Sequence, residues 1–271
     1  MRMQDATPPA TSQSDPVDPA RANALLATLG VPGHISAGDP LPPFFHQLYF
    51  WDARPASELG ADGHPRPGGL IPESGLPRRM WAGGRLSFDA PFRAGVAAEK
   101  TSICENLARK TGRSGPLALV TLRHEIRQDG QLSVTEWQDL VYREPARAEA
   151  PRPVAPVAAT DEEVVQPAAF TSTQLFRYSA LTFNGHRIHY DETYAREAEG
   201  YDGLVVHGPL LAQKLMLFAA AELGPLERFA FRATAPLMHH ETAELCRNGT
   251  RLWVRASDGR QCMEATAVVR S

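Results

Sequence analysis

The sequence predicts an α+β fold in which antiparallel strands curl around one buried helix. The helix is indicated by G-P-L-L-A-Q-K-L-M-L-F-A-A-A-E-L-G (Gly208–Gly224), which is apolar on nearly every side and is therefore expected to be buried. The strands are indicated by two pairs of strand-like runs, each joined around an Asp-Gly turn, at 129–130 and at 258–259. Asp-Gly accepts the positive φ angles that tight hairpins require. A third observation is that both halves of the chain carry the same order of elements.

The repeat is visible in two stretches that precede the strand pairs. The first is R-L-S-F-D-A-P-F-R-A-G-V-A-A-E (Arg85–Glu99) and the second is R-F-A-F-R-A-T-A-P-L-M-H-H-E (Arg228–Glu241). Prolines among alanines between the halves predict a semi-rigid linker. We therefore expect a disordered tail over 1–16, a first unit over 17–145, a linker over 146–169 and a second unit over 170–271.

Three shorter helices are predicted from their capping residues. Asp18, Pro19 and Gly30 begin and end the first one, because Asp caps a helix, Pro fits its first turn and Gly ends it. A second short helix is predicted between Phe170 and Thr182, and a third after Asp191.

Composition excludes several classes of function. A net charge of −3 and a pI of about 6.3 argue against nucleic-acid binding. No apolar run approaches the roughly 20 residues that a membrane-spanning helix needs. The N-terminus lacks the features of a secretory or transit peptide, and three cysteines at unrelated spacings do not form a disulfide framework. A cytoplasmic location is expected.

The stretch L-T-F-N-G-H-R-I-H-Y-D (Leu181–Asp191) holds the candidate chemistry. A metal site is not expected, because Asn184 and Gly185 break a helix just before the two histidines, no metal motif completes the set and Arg187 would repel a cation. The alternatives are an ordinary polar loop and a proton-transfer site. The second is favoured by the buried helix that begins soon afterwards at Gly208, since a free N–H beside a neutral base can stabilise an enolate while water adds to a double bond.

The segments N-G-H-R-I-H-Y-D and G-L-V-V-H-G-P-L resemble the MaoC-like, type 2 enoyl-CoA hydratases, and within them the branch that includes mesaconyl-C4-CoA and itaconyl-CoA hydratases. The resemblance implies a double hot-dog fold with a degenerate first copy and the active site on the second. It implies that His189 is the catalytic histidine and that the backbone N–H of Gly208 is the oxyanion donor. Asn184 stands where the wider family has an aspartate, so we expect His189 to be the sole base and Asn184 to orient the water. For His207, packing at the helix start and contact with substrate remain equal alternatives.

The resemblance also suggests which residues contact an acyl-CoA substrate. His186, Arg187 and Arg177 are the candidates on the loop and on the helix before it. Arg187 is expected either to bind a carboxylate on the acyl group or to face solvent or a phosphate of coenzyme A. Arg78, Arg79 and Arg85 are expected to be surface charges, although one of them could meet those phosphates.

The resulting prediction is a hydro-lyase for a 2-enoyl-CoA thioester, with a short branched dicarboxylic acyl group. It needs no cofactor and no metal and is a monomer or a homodimer. Two alternatives remain, a non-catalytic acyl-CoA-binding hot-dog protein and an acyl-CoA thioesterase. The thioesterase would need a carboxylate near the thioester, and the loop offers only Asp191, which is expected to begin the next helix.

Overall fold

The structure is a computed structural model that describes residues 10–66, 68–71, 73, 75–112, 115–144 and 154–270. Within these ranges, ten strands form a single antiparallel sheet. The strands are β1 (Ala10–Asp15), β2 (Arg78–Phe88), β3 (Ala98–Gly112), β4 (Gly115–Gln128), β5 (Gln131–Arg143), β6 (Val164–Ala169), β7 (Leu226–Ala233), β8 (Thr242–Asn248), β9 (Arg251–Ala256) and β10 (Gln261–Val269). Their order across the sheet is β1-β3-β4-β5-β2-β7-β10-β9-β8-β6.

The strand order confirms the predicted repeat. Counted outward from the centre, the first half is β2-β5-β4-β3-β1 and the second is β7-β10-β9-β8-β6, which is the same arrangement. The halves join where β2 pairs with β7, and Leu86 lies opposite Phe229 in that pairing. These two residues occupy equivalent positions in the repeated stretches, as expected when two copies meet about a two-fold axis. The fold is therefore one continuous sheet rather than two separate ones.

The described secondary structure also includes four α-helices and three short 3-10 turns. The α-helices are α1 (Pro19–Leu29), α2 (Ser172–Leu181), α3 (Glu192–Glu197) and α4 (Gly208–Leu223). The predicted caps are confirmed: the Asp18 side chain accepts a hydrogen bond from the N–H of Ala20, and Gly30 ends α1 at a φ of 68°. In the part of the chain that is described, no helix is long and apolar enough to cross a membrane.

Helix α4 is the central buried helix that the sequence predicts. It packs on β7, β8, β9 and β10, and it also contacts β2 of the first half. No described residues of the first half form a corresponding helix. The loop around the 3-10 turn Phe45–Leu48 fills the space instead, and Phe44, Phe45 and Leu48 belong to the same buried cluster as the apolar residues of α4. This asymmetry leaves only one long helix N-terminus between the two halves.

The predicted tail and linker are wrong where they overlap the two edge strands. Residues 10–15 form β1, which pairs with β3, and residues 164–169 form β6, which pairs with β8. An edge strand needs only main-chain hydrogen bonds and no apolar face of its own, so a polar or proline-containing segment can supply it. Of the remaining residues in these two predictions, 1–9 and 146–153 lie outside the described residues.

Candidate active site

The loop after α2 is shaped by the side chain of Asn184. Its Oδ1 accepts a hydrogen bond of 3.0 Å from the backbone N–H of His186. The backbone N–H of Asn184 donates to the carbonyl of Ser179 at 2.8 Å. The chain then makes a 3-10 turn over Arg187–His189. Because the oxygen of the Asn184 amide is used within the loop, its NH₂ group is what remains available to a water molecule.

His189 is buried and held in one tautomer. Its Nδ1 lies 2.7 Å from the carbonyl oxygen of Val205, and a carbonyl only accepts, so Nδ1 carries the hydrogen and Nε2 carries the lone pair. Burial lowers the pKa of His189 to about 4, and the hydrogen bond to Val205 acts in the opposite direction. His189 is therefore neutral near pH 7, with a basic nitrogen at Nε2.

His207 lies behind His189 as a packing residue. The two rings stack with centroids 3.7 Å apart, and Nε2 of His207 is 2.8 Å from Oγ of Ser179. Its side chain makes no capping bond to α4. Burial, with smaller contributions from His189 and His186, lowers the pKa of His207 well below the usual value. These contacts favour the packing alternative that the sequence left open.

Gly208 is the first residue of α4, so no carbonyl one turn earlier can accept its N–H. Apart from the neighbouring residues and the backbone of α4 itself, no atom lies within 4 Å of a Cβ placed on Gly208, so open space adjoins the start of the helix. A thioester carbonyl can therefore approach this N–H, where the helix dipole also favours developing negative charge.

Two side chains from the first half reach the same loop, and sequence reasoning missed both. Asp62 and His64 lie on a loop whose carbonyl at position 62 accepts from the N–H of Arg187 at 2.9 Å. The His64 ring lies 4.3 Å from the ring of His186, which in turn lies 5.3 Å from that of His189. The signal was present in the sequence as a second Asx-Gly-His tripeptide.

The two tripeptides, D-G-H (62–64) and N-G-H (184–186), share one side-chain hydrogen bond and pack together. In each of them the Asx side chain accepts from the histidine N–H two residues later, at 3.1 Å in the first and 3.0 Å in the second. Gly63 has a φ of 87°, and a Cβ on it would overlap the carbonyl oxygen of Gly185. Only glycine allows this close contact between the halves.

Asp62, His64 and His186 are the one group of described residues whose ligand atoms lie close enough together, within 4.8 Å, to hold a metal ion. The metal site weighed from the sequence paired His186 with His189, and His189 does not belong to this group. Nδ1 of His64 already bonds the Asp62 carboxylate at 3.1 Å. Besides burial, the positive charge of Arg79 lowers the pKa of His64 and His186, and the same charge opposes a cation at this point.

Arg187 and Arg177, which the sequence suggested as contacts of the substrate, are engaged elsewhere or exposed in the structure. Arg187 forms an ion pair with Asp191 at 2.7 Å, donates to the carbonyl of Ala61 at 3.1 Å and stacks on Tyr194 at 4.1 Å. Its charge is thus already matched. Asp191 also accepts from the N–H of Tyr194 at the start of α3, as predicted. Arg177 is exposed on α2, beside the surface that α2 shares with α1.

Two copies of a five-strand unit share one sheet, and a neutral histidine lies beside the N-terminus of a buried helix. These features are those of double hot-dog hydro-lyases. A family model for hydroxyacyl-thioester dehydratase type 2 matches residues 44–239, and the chain belongs to this family.

Two curated relatives agree with the family assignment, and two solved structures agree with the fold. The chain is 45% identical over 254 residues to the mesaconyl-C(4)-CoA hydratase of Chloroflexus aurantiacus, covering 91% of this chain and 90% of that one. It is 28% identical to the mitochondrial hydroxyacyl-thioester dehydratase type 2 of Schizosaccharomyces pombe, covering 79% and 80%. HtdX of Mycobacterium tuberculosis superposes with a TM-score of 0.66 at 19% identity, covering 95% and 98%. A double hot-dog protein of the same organism superposes with a TM-score of 0.60 at 14% identity, covering 97% and 95%. The predicted fold is confirmed.

Proposed function

We propose that this protein catalyses the reversible addition of water to a 2-enoyl-CoA thioester whose acyl group is a short, branched dicarboxylic acid of the mesaconyl-CoA or itaconyl-CoA type. The observation that carries the hydration chemistry is the tautomer of His189. Its hydrogen bond to Val205 leaves Nε2 as a free base near the open N–H of Gly208. The dicarboxylic acyl group is supported by the 45% identity with a mesaconyl-C(4)-CoA hydratase.

The reaction follows from these two groups. The thioester oxygen accepts a hydrogen bond from the N–H of Gly208, which stabilises negative charge on that oxygen. Nε2 of His189 takes a proton from water while the water oxygen bonds to C3, and the electrons of the double bond move to form the enolate. The enolate then takes the proton from the His189 imidazolium at C2 and re-forms the carbonyl. The amide NH₂ of Asn184 positions the water, and dehydration follows the same steps in reverse.

The test is to measure loss of the enoyl-thioester absorbance with crotonyl-, mesaconyl-, itaconyl- and long-chain enoyl-CoA. We expect the dicarboxylic substrates to react fastest. His189→Ala should lower the rate by about 10²- to 10⁴-fold, the usual cost of losing a general base. His34→Gln, at an exposed histidine far along the sequence, is the matched control. A folded His189→Ala enzyme within a few-fold of wild type would rule out this base.

A thioesterase remains a second candidate because of Asp62, a carboxylate that lies near the histidine cluster. Its pairing with His64 could assist attack of water on the thioester carbonyl. Release of free thiol separates the two activities, because hydration leaves the thioester intact and hydrolysis does not. Binding of acyl-CoA without either reaction would support the non-catalytic alternative.

Two further proposals concern the oligomeric state and the location of the protein. The chain already contains both hot-dog copies, so we propose that one chain suffices for a complete site, whether it is a monomer or a homodimer. We also propose a cytoplasmic location, because an acyl-CoA substrate would be available there.

A further inference from the structure

An arginine without a partner lies near the first-half side of the active site. Arg79 is half-buried in β2, and it has no ion pair and no side-chain hydrogen bond among the described residues. A partly buried guanidinium without a counter-charge is unfavourable, so such a group indicates a site for an anion. The hydration steps proposed above assign no role to Arg79.

The strand pairing shows which way Arg79 faces. Arg79 lies opposite Tyr142 of β5, and Trp81, two residues later, lies opposite Leu140. Side chains two apart on a strand share one face, and Tyr142 and Leu140 are both buried on that face. Trp81 also contacts Phe44 and Phe231 of the core between the halves. Arg79 therefore faces inward rather than toward bulk solvent.

The charge of Arg79 reaches the cluster of Asp62, His64 and His186. The charge of Arg79 acts on both imidazoles, where it adds to the effect of burial in lowering the pKa of His64 and of His186. Nδ1–H of His64 is held by Asp62, whereas the ring nitrogens of His186 have no hydrogen-bond partner among the described residues. Neutral His186 can therefore donate one N–H to a bound group.

The other arginines around the site are either paired with a carboxylate or exposed to solvent. Arg187 is paired with Asp191 at 2.7 Å, and Arg78 is paired with Glu199 at 2.9 Å and bonded to the Tyr201 hydroxyl at 3.0 Å. Arg177 is exposed on α2. Arg79 is the one that combines an inward direction with an unmatched charge.

We propose that Arg79, together with His186, binds the carboxylate of the acyl group and thereby selects dicarboxylic thioesters. The proposal rests on the proposed function and replaces Arg187 in the selective role. A carboxylate on C3 lies beside the carbon that receives water, and the His186 ring is 5.3 Å from that of His189. Guanidinium groups bind carboxylates through two parallel hydrogen bonds, which fixes the orientation of the acyl group as well as its charge.

The experiment compares kcat/KM for mesaconyl-CoA and crotonyl-CoA in the wild type, Arg79→Met, Arg79→Lys and Arg85→Met. Arg85 is the matched control because it lies on the same strand and is largely exposed. We expect Arg79→Met to lower kcat/KM for the dicarboxylic substrate by about 10- to 100-fold, the usual cost of losing hydrogen bonds to a charged group. The value for crotonyl-CoA should change little. Arg79→Lys should recover part of the preference, and Arg85→Met should retain it.

Other outcomes overturn the proposal in distinguishable ways. If both substrates weaken alike in Arg79→Met, and crotonyl-pantetheine does not, the arginine binds the phosphates of coenzyme A. If neither substrate weakens, Arg79 contacts no part of the substrate. If the folded wild type hydrates none of the thioesters, the proposed function itself fails, whatever the arginine does. Circular dichroism of each variant establishes that it is folded.

Discussion

Lowering the pH from 7 to 5 tests the chemical state of His189. Burial lowers the pKa of this residue to about 4, so the neutral and active form is the one present at pH 5. An exposed histidine, with a pKa near 6.5, would be mostly protonated and inactive at that pH. The two cases therefore predict different acid limbs for the hydration rate.

The size of the difference follows from the fraction of neutral imidazole. With a pKa of about 4, roughly 90% of His189 is neutral at pH 5, against nearly all of it at pH 7. With an ordinary pKa of about 6.5, roughly 3% would be neutral at pH 5, against about three quarters at pH 7. We therefore expect kcat/KM at pH 5 to remain within about 10% of its value at pH 7, rather than to fall about 25-fold.

The assay uses stopped-flow absorbance with crotonyl-pantetheine, which has neither an acyl carboxylate nor phosphates that would titrate in the same range. kcat/KM is the relevant quantity because it reports ionisations of the free enzyme. Circular dichroism at each pH separates loss of the base from loss of the fold. An acid limb centred between pH 6 and 7 in folded protein would refute the argument, since His189 would then not be a desolvated neutral base.

Two further predictions concern the loop and the joining of the halves. Asn184→Asp should remain active, because either side chain can accept from the His186 N–H at 3.0 Å, whereas Asn184→Ala should lose about tenfold in rate. Equal rates for Ala and Asn would show that the amide neither shapes the loop nor orients water. A polypeptide that begins at residue 160 should be insoluble or inactive, because β7 loses its pairing with β2 and the loop loses Asp62. A soluble half that hydrates enoyl thioesters at the full rate would contradict this.

Features set by local sequence were predictable. The caps of α1, the boundaries of α4 and the hairpin at Asp129-Gly130 depend on residues within a turn of one another. Strands β1 and β6 were not predictable, because their pairing depends on the edges of β3 and β8 rather than on their own apolar pattern.

The candidate active site also combines residues that local sequence indicates with residues that only the fold brings together. His189 and Gly208 lie in one segment with a recognisable pattern, so the sequence alone indicates both as candidates. Asp62 and His64 were missed because nothing local indicates that their loop folds over residues 184–187. The pairing of Arg187 with Asp191 has the four-residue spacing of helical ion pairs, so it was predictable from the sequence.

The contact of Gly63 with Gly185 has a consequence for how such enzymes diversify. The proposed base and oxyanion donor lie on the second copy, while Asp62, His64 and Arg79 come from the first copy, whose described residues form no central helix. The first copy can therefore change its loops without altering the proposed base or oxyanion donor, which lie on the second copy. Exchanging residues 60–79 between relatives should therefore transfer substrate specificity from one enzyme to the other, provided that Gly63 and Gly185 are kept.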